Sequence, residues 1–196
     1  MYPPGFSAVH RTILTVRGRQ MEMLGAVLVD RARGARLQAL GDMGGTAFDV
    51  VCLTDGSARV ERNAAGLRER WLLEGAARDV FVLYLAGPSP LAGLVRHESG
   101  AMGLAEDLSD GTRREFRFDP AGRRLSEYWL SRGGRCLYRA EFSNYRVIAP
   151  WKTPVPGSVR VTDYRLNYSA TVEVTGMKPE PVDRKALVPR EAAVEK

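Results

Sequence analysis

Few side chains in this sequence are equipped for chemistry. His10 and His97 are its only histidines. They stand far apart, and neither has a second ligand at the spacing that a transition-metal site requires. Cys52 and Cys136 are the only cysteines. Each falls on the inward face of a strand-like run, so buried free thiols are expected; a disulfide stays open, because sequence spacing does not fix Cα separation. Glu98, Glu106, Asp107 and Asp110 gather acid in a loop-like region and read as solvated turn residues. There is no His-Glu-x-x-His, Gly-x-Ser-x-Gly, phosphate-loop or dinucleotide fingerprint. A lipid hydrolase would need a nucleophile beside a base, and the serines have no histidine placed to activate one. No catalytic residue, metal or cofactor is expected, and the chain reads as a non-enzyme.

What remains is apolar side chains in regular positions, and the elements that must hold them. Residues 36–53 set two strand-like runs around the corner Gly41-Asp42-Met43-Gly44-Gly45. Such a corner has little side chain to bury, so it reads as a hairpin tip that presents Met43 outward. Met43 is then either a plain loop tip or an interaction tip. On the flanking runs Leu37 and Ala39 face Phe48, Val50 and Cys52. Before them, Thr12, Leu14 and Val16 share one face, and Met21, Met23, Gly25, Val27 and Val29 another. Asp55-Gly56 signals a tight turn into a fifth strand. Later runs alternate in the same way: Phe116 and Phe118; Cys136, Tyr138, Ala140 and Phe142; Val159 and Val161; Ala170, Val172 and Val174. These predict ten or eleven short antiparallel strands.

The period changes once. Over residues 67–86, Leu72, Ala76, Val80, Leu83 and Tyr84 recur at helical spacing, and beyond Val80 the polar face is lost as Phe81, Val82 and Leu85 join the stripe. Asn63 is placed to cap the start, and Gly87-Pro88 ends the run. Trp71 and Trp129 read as core aromatics; Phe81, Tyr84 and Leu85 read as core or as a lid. One helix cannot cover so wide an apolar sheet. The economical solution is a curled antiparallel sheet forming an incomplete barrel, mainly β, with the helix laid into its mouth and an apolar cavity inside.

The bulk numbers agree with a globular chain. At 196 residues, 44% apolar and 27% charged, one domain can stabilise itself without metal or disulfide. The net charge of +6 comes almost wholly from arginine. The arginines alternate with apolar residues along strands, so they read as a solvated outer face rather than a nucleic-acid footprint. Residues 80–95 are uncharged but broken by Pro88 and Pro90, and too short for a membrane span. The first residues lack a basic start and an apolar run, which predicts either a cytosolic chain or one whose leader has been removed.

With its glycine corner at 41–45, its Asp55-Gly56 hairpin followed by a helix, and its closing strands at 159–174, the chain resembles the LolA/LolB-like envelope lipoprotein carriers and receptors over residues 11–177. The likeness extends to uncharacterised bacterial lipoproteins of that fold. It implies a half-barrel domain over 1–177; prolines and charges dominate residues 178–196, which read as an extended or mobile tail. It further implies a non-enzymatic carrier or receptor for a lipid or lipoprotein acyl chain, in the periplasm or on the periplasmic face of the outer membrane. A membrane surface is then a possible partner, and nucleic acid is not. The cavity and lid would be formed by Met23, Leu37, Phe48, Val50, Trp71, Leu72, Phe81, Leu85, Phe116 and Phe142. Met43 matches the protruding tip residue of the receptor branch, although the proline that often precedes that residue is lacking. The alternative is a structural or partner-binding envelope lipoprotein with a packed interior and no cargo.

Overall fold

The computed structural model describes residues 4–41, 45–97, 100–148, 154–180, 182, 186 and 187. Within these, fourteen strands and one helix follow the alternation in the sequence. The first half contributes β1 (Gly5–Val16), β2 (Arg19–Asp30), β3 (Gly34–Leu40), β4 (Thr46–Leu53) and β5 (Ala58–Asn63). Helix α1 spans 69–85. The second half contributes β6 (Gly93–Arg96), β7 (Met102–Asp107), β8 (Thr112–Phe118), β9 (Leu125–Arg132) and β10 (Arg135–Ser143). Last come β11 (Arg146–Val147), β12 (Pro154–Val155), β13 (Ser158–Asp163) and β14 (Tyr168–Pro179).

Twelve strands form one antiparallel sheet in the order β5-β4-β3-β2-β1-β14-β13-β10-β9-β8-β7-β6, and β11 pairs with β12 separately. The sheet curls without closing, so the fold is an open half-barrel with a helix on its inner face. More strands are present than the ten or eleven expected. Glu106 and Asp107 lie on β7 rather than in a loop, facing Arg114 and Arg113 across the pair. Cross-strand ion pairs let acidic residues occupy a strand, which their type alone disfavours. Glu98 lies outside the described residues.

Alternation sorts the side chains cleanly. One inward row, Met21–Leu14–Ala170–Val161–Ala140–Tyr128–Phe116–Leu104–Leu94, runs from β2 to β6 through successive partners. Because side chains repeat every second residue, this register keeps the apolar set on the concave side. Two residues along lies a more polar inward row, Val16–Tyr168–Asp163–Tyr138–Leu130–Arg114–Glu106.

The helix lies across both rows. Its start is bracketed by Asn63, whose Oδ1 accepts from the Leu67 backbone N–H at 3.0 Å. Its end is set by Ala86, which turns to extended backbone (ψ 137°). Leu72, Ala76, Val80, Leu83 and Tyr84 are buried, as the spacing predicts. Two stretches, Leu72–Ala76 and Phe81–Leu85, take π-helical hydrogen bonding, a widened helix that is found mostly as short insertions. No described helix is long and apolar enough to cross a membrane.

The convex face carries paired charge. Arg11 meets Glu22 at 2.7 Å, and Arg36 meets Asp49 at 2.7 Å. Trp129, expected in the core, instead lies outside between two guanidiniums, those of Arg117 at 4.3 Å and Arg139 at 4.8 Å from its ring centre. Its odd position on β9 places it opposite the inward Tyr128 and Leu130, and cation–π contact supplies the cover that a core would have given. Both cysteines are free thiols, Cys52 buried and Cys136 half-buried.

Of the predicted tail, Lys178 and Pro179 complete β14. Arg36 donates to the Ala186 carbonyl at 3.0 Å, and Arg59 to that of Leu187 at 2.8 Å. Those arginines flank Val51 in the register, so residues 186–187 cross over that outward, fully buried side chain. Leu187 is itself buried. The remainder of the tail, save Glu180 and Val182, lies outside the described residues.

Candidate functional site

Among the described residues, the concave side is the large apolar surface that the helix must cover, and the space beneath it is unevenly filled. Between the helix and β1–β4 with β14 lies a cavity of about 60 Å³. Its wall includes Met23, Leu37, Phe48 and Trp71, together with His10, Asp79, Leu83 and Tyr84. Ligand pockets commonly hold ~300–1,000 Å³, so this space holds no acyl chain while the helix stays in place. The apolar cavity expected from the sequence is thus small beneath the helix. Helix side chains occupy most of it, because Val80, Leu83 and Tyr84 reach the same cluster as Leu14, Phe116 and Ala140.

A second cavity, of about 330 Å³, opens at the C-terminal end of the helix. Phe116, Phe118 and Phe142 line it from the later strands and Tyr145 from the link after β10, and Leu83 borders it as well as the first. A third space, of about 390 Å³, lies on the far side of the helix, with Phe81, Leu130 and Tyr128 among Arg78, Arg114 and Arg132.

The predicted cavity residues thus divide. Met23, Leu37, Phe48 and Trp71 meet around the first cavity, and Phe116 and Phe142 around the second. Phe81 borders the third. Val50 and Leu72 are fully buried in a smaller cluster with Ala39, Phe48 and Ala76, and Leu85 packs half-buried against the main core. Met43 lies outside the described residues. The corner that carries Met43 is closed at its root, where the Gly41 N–H donates to the Gly45 carbonyl at 2.7 Å.

Four polar contacts tie the helix to the sheet. Tyr168 and Tyr138 both donate their hydroxyls to Asp79 Oδ1, at 2.8 and 2.9 Å. Arg78 reaches Asp163 at 3.2 Å, and Tyr84 hydrogen-bonds His10 Nε2. Asp163 is fully buried. It also accepts the backbone N–H groups of Arg165 and Leu166, at 2.8 and 2.9 Å, and the Arg165 guanidinium at 2.9 Å.

Burial dominates the electrostatics here. Asp79 is half-buried and borders the small cavity. Desolvation pushes its carboxyl up to about 7, against the opposing pull of the two tyrosine hydroxyls and Arg78. His10 is driven the other way, down to about 4, by desolvation. Both side chains are therefore neutral through mildly acidic pH. Burial also raises Tyr138 and Tyr168 well above the usual phenol range. Sequence reasoning missed this group. A signal existed, since Asp79 continues the spacing Leu72, Ala76, Val80 and Leu83 on the buried side, and Tyr138 and Tyr168 alternate inward.

Among the described residues, no group of three potential ligands could hold a metal. His97 follows edge strand β6, with Nε2 2.7 Å from Glu115.

No family model and no curated protein matches the sequence. Solved structures do match. A LolA superfamily protein from Nitrosomonas europaea superposes with a TM-score of 0.66 at 13% identity, covering 95% of this chain and 91% of that one. A domain from Vibrio parahaemolyticus, assigned as an outer membrane lipoprotein-sorting protein, gives 0.63 at 13% identity, with 94% and 89% covered. A DUF1329 family protein from Desulfovibrio piger gives 0.59 at 8% identity, with 94% and 92% covered. The fold is LolA/LolB-like.

Proposed function

We propose that this protein is a non-enzymatic carrier or receptor of the bacterial envelope that takes a lipid or lipoprotein acyl chain onto its concave face. One observation carries the reading: the middle of an apolar row running from β2 to β6 is covered by a single helix, its end members Met21 and Leu94 staying exposed, and Leu83 borders two apolar spaces. A chain entering at the 330 Å³ mouth, past Phe116 and Phe142, reaches the rest of the interior only as the helix gives way. The LolA-type and lipoprotein-sorting neighbours support the same class of role and the same compartment.

Energetics favour such a trade. Burying an acyl chain gains ~0.8 kcal/mol per CH₂, on the order of 10 kcal/mol for a 16-carbon chain, and a carrier holding that tightly would not release it. Here the guest displaces Val80, Phe81, Leu83 and Leu85, whose burial is lost in return. Net affinity is the difference of two similar terms, small enough for transfer. Met43, at the glycine corner, is the side chain we assign to contact with the receiving membrane.

The second reading is a structural or partner-binding lipoprotein with no cargo. One observation favours it, the small volume left beneath the helix. Mass spectrometry of the freshly purified protein separates the two. Co-purified lipid supports the carrier. Its absence, together with failure to retain an added fluorescent fatty acid, supports the scaffold.

A further inference from the structure

The helix is held to the sheet by contacts whose chemistry suits a reversible closure, and the inference drawn from them rests on the reading that this helix moves. We propose that Asp79 and His10 form a compensated latch: the seated helix keeps both groups neutral, and its release lets both become charged. The geometry gives each group one role. Asp79 rides on the helix and is gripped by Tyr138 of β10 and Tyr168 of β14. His10 belongs to β1 and is capped by Tyr84 of the helix, whose ring stacks on it at 5.5 Å. Lifting the helix exposes both to water at once.

The sign of each contribution follows from proton binding. In the seated state Asp79 retains its proton up to about pH 7, whereas in water a carboxyl loses it near 3.8. Its share of the closure is therefore fully present in acid and is lost as pH rises towards 7. His10 stays neutral in the seated state down to about pH 4, while in water it gains a proton below 6.5. Its share is fully present above 6.5 and is lost as pH falls. Between about pH 4 and 6.5 the seated helix holds one proton on Asp79, and the released helix leaves one on His10. The proton count does not change, so the equilibrium is level in that window.

Asp163 acts on Asp79, and burial raises its own carboxyl too. Asp79 faces the two tyrosines, both titrating above the range, and feels Asp163 and the Arg78 guanidinium. Asp163 keeps Arg165 and two backbone N–H donors on the sheet side when Arg78 departs. Glu74, also on the helix, acts on Asp163. For His10, burial is the cause of the shift.

The test is hydrogen exchange of the helix 69–85 amides in the full-length protein, corrected for intrinsic exchange, at pH 4.5 to 8 and without ligand. The wild type should give level protection from pH 4.5 to 6.5. Asp79→Asn should lose protection as pH falls below 6.5, by up to about tenfold per pH unit. His10→Gln should lose it as pH rises towards 7, with a similar slope. Opposite slopes in the two variants establish the latch. Profiles parallel to the wild type overturn it, and so does a slope of the wrong sign in either variant. The two variants are read independently, so misfolding of one leaves the other decisive. Because no ligand is present, opposite slopes without lipid uptake would sink the carrier reading alone, and uptake without slopes the latch alone.

Discussion

Tyr168 on the last strand donates its hydroxyl to Asp79 of the helix at 2.8 Å, and Tyr138 reaches the same oxygen from β10 at 2.9 Å. Two strands that meet the helix from different parts of the chain thus converge on one carboxyl oxygen. Removing one donor, by Tyr138→Phe, should cost ~0.5–1.5 kcal/mol. Asp79→Ala should cost more, because it strands two buried hydroxyls at ~1–3 kcal/mol each. Urea unfolding followed by far-UV circular dichroism checks both; an alanine variant as stable as wild type would show that the contact contributes nothing.

Charge on the helix end that faces the interior should block loading. In the carrier reading, Phe81→Asp or Leu85→Asp abolishes uptake of a fluorescent fatty acid while leaving a folded chain. Retention equal to wild type in a folded variant removes the lid role from those residues.

In the carrier reading, delivery is separable from binding. Met43→Glu should leave uptake intact and slow transfer of bound fatty acid to liposomes, since a carboxylate resists entry into the apolar boundary. Stopped-flow transfer at equal rates would leave the tip without a role in delivery.

Much of this was legible in the sequence. Period-two alternation located most of the sheet, and the change of period at residues 67–86 located the helix to within two residues at its start and one at its end. The glycine corner and Asp55-Gly56 placed two hairpins. What escaped were features decided by partners distant in sequence. Glu106 and Asp107 look like turn residues until Arg114 and Arg113 face them, and Trp129 looks like core until two arginines enclose it. Asp79 reads as an ordinary polar break in a stripe; only the fold brings Tyr138 and Tyr168 to it. The volume beneath the helix was likewise beyond pattern reading, because side-chain packing, not periodicity, decides how full an interior is.

The thiols offer a check on packing. Burial pushes Cys52 up to about 11, and Asp55 adds to the shift. With so little thiolate at pH 8, Cys52 should react with a disulfide reagent far more slowly than a free thiol, and at full speed in urea. Prompt labelling of Cys52 in the native protein would place the β4 interior in contact with solvent.

Cover by residues 186–187 is testable in the same way. Leu187→Ala should cost about 2 kcal/mol, the low end for a buried leucine. No change in the urea midpoint would mean that this contact is decorative.

In the carrier reading, loading comes down to one exchange, a guest chain for a helix. Hydrogen exchange of residues 69–85 with and without a saturating 16-carbon fatty acid measures it directly. Protection of the helix amides should fall on loading, while that of β1 and β14 holds. A fatty acid that binds and leaves the helix as protected as before would contradict it, as would one that does not bind at all.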